Sequence, residues 1–130
     1  ASTKRLNTCH KDIQAIMSLA LALSDTDMTI VCGERGEEEQ NTAYNADPPL
    51  SYAKYGESPH NFSPALAVDV APYANGKIQW ENHKLFSRIA DFIMAANQQL
   101  LDDEVVEVEL EQIGAWDKPH WQIKGWKGLV

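Results

Sequence analysis

The stretch "ALAVDVAPYANGKIQW", Ala65 to Trp80, constrains this chain more than any other. Its first half places apolar residues at alternate positions, as a strand with one buried face requires. Asn75-Gly76 then supplies two residues that tolerate the positive φ angles of a two-residue hairpin turn, and "KIQW" reads as the return strand. A chain committed to this hairpin must build an antiparallel sheet. Leu66, Val68 and Val70 would point into the core, and Ala65, Ala67, Asp69 and Ala71 would line the other face. Three alanines beside one aspartate predict open space over that carboxylate.

The flanking segments supply helices and further strands. Asn7 or Thr8 can cap a helix whose buried stripe is Ile13, Ile16, Met17, Ala20 and Leu21. "MTIVC", Met28 to Cys32, reads as a short strand stopped by Gly33, and "ERGEEEQNTAYNA" opens a short helix with its acidic residues first. "DPPLSYAKYGESP" is a proline- and glycine-punctuated loop. Leu85, Ile89, Phe92, Ile93 and Ala96 mark a second long helix. "VVEVEL" alternates as a strand with Val106, Val108 and Leu110 inward, and "HWQI" closes the set. Helices and antiparallel hairpins in this order predict an α+β fold, a small antiparallel sheet packed with helices. At 130 residues, without repeats or an internal linker, residues 1–130 are expected to form a single domain.

Charge and cysteine content narrow the function classes. A formal net charge of −8 disfavours nucleic acid or an anionic membrane surface as a partner. No apolar run is long enough to span a membrane, and no apolar segment follows the basic residues of "ASTKRLNTCH", so no signal peptide is expected in this stretch. Cys9 and Cys32 form no C-x-x-C pair and are expected to be buried thiols.

The polar residues of the two strands suggest a site. On "HWQI", Trp121 and Ile123 would go inward, leaving His120 and Gln122 on the face that carries Asp69. If the strands are neighbours, Asp69 and His120 meet, and His60, on the loop feeding the first strand, can complete a cluster. Two imidazoles, one carboxylate and an open position are the plan of a catalytic zinc site. Taken singly, each residue is weak evidence, and His10 and His83 are read as plain helix-surface residues. In "WDKPHW", Asp117 sits three residues before His120 with Pro119 fixing the turn, which puts a carboxylate beside the cluster, where zinc hydrolysis needs a proton acceptor.

The set S-x-H, a downstream Asp and D-x-x-H resembles the LAS group of zinc metallopeptidases, which includes VanY-type D-Ala-D-Ala carboxypeptidases, related dipeptidases and phage L-alanyl-D-glutamate endopeptidases. The likeness is greatest to the phage endolysins. It is carried by "LNTCHKDIQAIM", "MTIVCGERGEEEQ", "SPHNFSPALAVDVAPYANGKIQW", "LFSRIADFIM" and "WDKPHWQI". It implies the Hedgehog/DD-peptidase-like fold, with Zn2+ held by His60, Asp69 and His120, Asp117 as catalytic base and Arg35 facing the scissile carbonyl. Ser58 and Gln40 would support the site. The chain departs from the commoner pattern in two places: the His60–Asp69 spacing is two residues longer, and Gly36 follows Arg35 where Ser or Thr is more usual.

The resemblance implies a peptidoglycan endopeptidase cutting the L-Ala–D-Glu bond of the stem peptide. The alternatives are a D-Ala-D-Ala carboxypeptidase or dipeptidase, for which Lys54 or Lys118 could reach a terminal carboxylate, and a zinc-bearing binding module without turnover. Retention of Asp117 argues against the last. As a lysin the protein is expected to be a monomer, made in the host cytoplasm and acting in the periplasm after holin-type release or lysis. With no separate wall-binding domain expected, a Gram-negative host is expected too.

Overall fold

The computed structural model describes residues 2–130. Its helices are α1 (Ser2–Leu6), α2 (Lys11–Leu23), α3 (Glu37–Asn45) and α4 (His83–Asp102). Its strands are β1 (Met28–Cys32), β2 (Ala67–Ala74), β3 (Lys77–Ile78), β4 (Leu110–Glu111) and β5 (His120–Ile123). Single 3-10 turns occupy Pro59–Asn61 and Trp126–Leu129. The strands form one sheet in the order β1-β2-β5-β4, with β3 also on β2, and all pairings are antiparallel. The expected α+β class is the one found.

The hairpin forms as its sequence requires. Asn75 and Gly76 both have positive φ, 54° and 78°, which lets Ala74 pair with Lys77 across a two-residue turn. The return strand is shorter than expected, ending at Ile78.

Helices α2 and α4 pack together, and α4 also packs against β2. Ile13, Ile16, Met17 and Ala20 of α2 meet Phe86, Ile89, Ile93 and Ala96 of α4 in one core with Val68, Val70, Trp121 and Ile123 of the sheet. The α2 stripe stops short of Leu21, which is 49% exposed. On α4 it runs through Phe86 rather than Leu85, which is half-buried, as is Phe92. The cap of α2 is neither Asn7 nor Thr8. It is His10, whose Nδ1 accepts from Asp12 N at 3.0 Å, because a short preceding helix, α1, already uses those residues in its exit turn.

Two expectations about the sheet fail for physical reasons. Ala65, Ala67 and Ala71 are fully buried, so the alanine face is covered rather than open. "VVEVEL" buries Val106 and Leu110 as its alternation requires, but only Leu110–Glu111 pairs as strand. The rest is held by side chains instead. Asp12 Oδ2 accepts from Glu107 N at 3.0 Å. Asn97 of α4 donates to Val108 O at 2.9 Å and accepts from Leu110 N at 2.7 Å, standing in for a neighbouring strand.

Candidate metal centre and active site

Asp69 sits mid-sheet, opposite Cys32 on β1 and His120 on β5. The β1–β2 register shifts between Ile30 and Cys32, a local irregularity immediately before Gly33. Gly33 lies so close to α1 and its exit turn that a Cβ there would collide with the Thr8 hydroxyl and the Arg5 carbonyl. That approach aims the Gly33 carbonyl at the 3-10 turn carrying His60, and His60 Nδ1 donates to it at 2.7 Å. The turn is itself capped: Ser58 Oγ accepts from His60 N at 3.2 Å, and Asn61 Oδ1 accepts from Ser58 N at 3.1 Å.

The result is a near-equilateral triangle of donor atoms. His60 Nε2, Asp69 Oδ1 and His120 Nδ1 are each 3.2 Å from the other two. Zinc–nitrogen and zinc–oxygen bonds of about 2.0 Å in a tetrahedron place ligand atoms roughly 3.3 Å apart, so the donor set fits that ion. The outer nitrogens are spoken for as well. A carbonyl only accepts, so the His60 proton lies on Nδ1 and leaves the Nε2 lone pair facing the cluster. His120 Nε2 lies 3.0 Å from Gln122 Oε1. Both imidazoles are buried. Among the described residues, His60, Asp69 and His120 are the group that could hold a metal ion.

Arg35 comes to the same place from the loop after β1. Its N–H donates to His60 O at 2.7 Å, and Nη2 lies 3.6 Å from Asp69 Oδ2, the carboxylate oxygen not turned to the histidines. Nη1 donates to Oε1 of Gln40, which is completely buried and also accepts from Asn61 Nδ2, both at 3.1 Å. Gln40 Nε2 donates to Ser51 Oγ at 2.9 Å and Ala53 O at 2.6 Å, tying the long loop to α3. Asp117 is half-buried on the turn before β5, where its carbonyl accepts from His120 N at 3.2 Å.

Residues 1–119, ending one position before His120, match the family model described as phage L-alanyl-D-glutamate peptidase. The chain belongs to that family. It is 33% identical over 105 residues to the L-alanyl-D-glutamate peptidase of Escherichia phage T5, covering 76% of this chain and 70% of that protein. The crystal structure of the Serratia marcescens L-Ala D-Glu endopeptidase ChiX superposes with a TM-score of 0.72 at 24% identity, over 99% of this chain and 90% of that one, and so shares the fold.

In this family member the site's electrostatics follow from burial and close charges. Burial alone would lower the His60 pKa, but the Asp69 carboxylate, with the Cys32 thiol beside it, raises it from 6.5 to about 9 in the metal-free protein. Burial opposes ionisation of Asp69, yet its contacts with His120 and His60 hold it well below the usual carboxylate range. Asp117 is pushed up, first by burial and then by the negative charge of Asp69, against the opposing pull of His120, His60 and Arg35.

Of the residues expected at the site, His60, Asp69, His120, Arg35, Ser58 and Gln40 are joined by these contacts, while Asp117 touches His120 through its backbone carbonyl and its carboxylate feels the charges of His120, Asp69, His60 and Arg35. Sequence reasoning missed Gly33 and Asn61. The S-x-x-N spacing of Ser58 and Asn61 is a capping-box pattern that would have found the second. It also misplaced Cys32, which is half-buried, with Arg35 Nη2 3.7 Å from its sulfur, whereas Cys9 is buried as expected. His83 is exposed at the start of α4, as expected, while His10 is the α2 cap.

Proposed function

We propose that this protein is a zinc-dependent peptidoglycan endopeptidase that hydrolyses the L-Ala–D-Glu bond of the stem peptide. The observation carrying the reading is the 3.2 Å triangle of His60 Nε2, Asp69 Oδ1 and His120 Nδ1, with Asp117 next to it in a family of L-alanyl-D-glutamate peptidases. His60, Asp69 and His120 would hold the zinc. When bound, zinc supplies a Lewis acid that activates water and polarises the scissile carbonyl.

The chain's own groups do the rest. Asp117 takes a proton from the attacking water on its carboxylate and returns it to the leaving amine. Its raised pKa suits a group that must both accept and release a proton. The Arg35 guanidinium, held by Gln40 and Asp69, presents fixed positive charge to the oxyanion as it forms. Ser58 and Gln40 keep the His60 turn and Arg35 in place. The covered alanine face lends no support to a broad open groove beside Asp69, so preference for the L-Ala–D-Glu bond rests on family membership.

No helix among the described residues is long and apolar enough to cross a membrane. We propose that residues 1–130 form one catalytic domain of a monomeric phage lysin, made in the host cytoplasm and reaching peptidoglycan after holin-type release. Digestion of intact muropeptides with zinc present, read by mass spectrometry, tests the reading. A peptide beginning with D-Glu should be freed, leaving L-Ala on the muramic acid. Release of D-Ala with the L-Ala–D-Glu bond untouched would replace it with the carboxypeptidase alternative. Asp117→Asn, nearly isosteric, should keep fold and zinc while turnover falls by roughly 10² or more.

A further inference from the structure

We propose that Gln122 and Glu111 are positioning residues that set the tautomer of His120 and so make its Nδ1 a metal donor. The inference rests on the zinc reading above and adds to it the device that prepares one of the three ligands.

His120 faces the cluster with Nδ1, 3.2 Å from both His60 Nε2 and Asp69 Oδ1. A neutral imidazole has one protonated and one unprotonated nitrogen, so a metal-donating Nδ1 requires the proton on Nε2. The group beside Nε2 decides this. It is the side-chain amide of Gln122, with Oε1 at 3.0 Å.

An amide is ambiguous by itself. With its oxygen toward His120 it accepts the Nε2 proton. Turned over, it would donate to Nε2 and leave the proton on Nδ1, facing the metal position. Glu111 removes the ambiguity, because a carboxylate only accepts. Gln122 Nε2 donates to Glu111 Oε2 at 2.9 Å, which turns Gln122 Oε1 to the histidine. The sheet provides the alignment: His120 and Gln122 are two apart on β5 and share a face, and Glu111 on β4 is the register partner of Gln122. His60 receives the same service from a backbone carbonyl, which cannot turn over. His120 takes it from a side chain that needs a second residue to orient it.

The test measures zinc dissociation constants by competition with a chromophoric chelator for wild type, Gln122→Met, Glu111→Ala, Glu111→Gln and the Gln122→Met/Glu111→Ala double variant. Circular dichroism and urea midpoints confirm that each is folded. Removing an outer partner of a metal-binding histidine weakens affinity by about 10- to 100-fold, which is expected for both Gln122→Met and Glu111→Ala. The double variant should be no weaker than Gln122→Met, because Glu111 acts only through Gln122. Glu111→Gln, whose amide can donate to Gln122 as well as accept from it, restores the ambiguity and should not regain wild-type affinity. In nitrogen-15 spectra of the zinc-loaded wild type, the His120 Nε2 proton should exchange slowly with solvent, and Glu111→Ala should speed that exchange. If wild type binds no zinc, the metal reading falls and this inference with it. If wild type binds zinc but Glu111→Ala matches it, the inference alone fails. Wild-type affinity in Glu111→Gln, or additive losses in the double variant, would overturn the proposal.

Discussion

Gln40→Leu should destabilise this protein far more than its position in a short polar helix suggests. The side chain is fully buried, and its amide makes four hydrogen bonds, accepting from Arg35 and Asn61 and donating to Ser51 and the Ala53 carbonyl. Leucine matches its volume and removes all four. All four partners keep other contacts: Asn61 Nδ2 still donates to Arg35 O, Ser51 Oγ still accepts from Ala53 N, Ala53 O still accepts from Ser51 Oγ at 3.5 Å, and Arg35 Nη2 stays 3.6 Å from Asp69. The Ala53 carbonyl, left with one long bond, and Arg35 Nη1 bear the main loss. An unsatisfied group that is out of water costs about 1–3 kcal/mol, and the apolar side chain recovers part of that, so the net loss should be about 3 kcal/mol.

Urea unfolding followed by circular dichroism measures this directly. The midpoint should fall with an unchanged slope, and Tm should drop by roughly 10 °C. Gln99→Leu, an exposed position on α4, is the control and should stay within about 0.5 kcal/mol of wild type. Gln40→Glu separates the two halves of the network. It keeps an acceptor for Arg35 but replaces the donors that hold Ser51 and Ala53, so it should cost at least as much as leucine. A Gln40→Leu loss under about 1 kcal/mol would refute the idea that this amide ties the loop to the site. A Gln40→Glu variant markedly more stable than Gln40→Leu would show that only the Arg35 contact matters.

Three further outcomes follow from the same contacts. His120→Ala should lose stoichiometric zinc, as read by metal analysis of dialysed protein, and equal zinc in variant and wild type would remove His120 from the ligand set. Asn97→Leu leaves two backbone groups without partners and should cost about 3 kcal/mol in urea unfolding, with a loss below about 1 kcal/mol counting against its strand-substituting role. In the metal-free protein the raised His60 pKa contributes stability that is full below 6.5 and disappears as pH rises through about 9, whereas the lowered Asp69 pKa contributes above its ordinary 3.8 and fades as pH falls below it. Metal-free Tm should therefore peak between about pH 4 and 6.5, and zinc binding at pH 7.5 should release close to one more proton than at pH 10, measured calorimetrically in buffers of different ionisation enthalpy.

The features readable from sequence were those in which local chemistry and tertiary context agree. β1 and β5 coincide with "MTIVC" and "HWQI", because short β-branched or alternating runs bounded by Gly and Pro leave little choice of register. Asn75-Gly76 specifies its turn through φ alone. What misled was inference about what lies above a surface. Alanines at 65, 67 and 71 suggested vacancy, but small residues serve equally to admit close-packed neighbours: the Ala65 carbonyl accepts from His10 N at 2.8 Å, and Ala67 O lies 3.8 Å from Cys9 Sγ. "VVEVEL" alternates because one side is buried, and burial does not require a strand partner when Asn97 and Asp12 can satisfy the backbone. Capping by His10 was hidden because an imidazole rarely takes that role and α1 was unforeseen.

The site and the fold depend on one decision, the register of β2 against β5. Asp69 pairs with His120 and Val68 with Trp121, so two of the three clustered donors share one rung while the next rung lies in the core. A slip of one residue would send His120 inward and Trp121 outward, exchanging a buried indole for a buried imidazole without its partners. The apolar core that favours Trp121 and Ile123 inside therefore also sets Asp69 and His120 side by side. His60 joins through a separate device, the close approach of Gly33 to α1 and its exit turn, which sets a carbonyl 2.7 Å from its Nδ1. Hydrophobic burial in the sheet and a steric constraint at one glycine thus help bring three polar side chains together, and the contacts of Asp69 with His60 and His120 outweigh their desolvation.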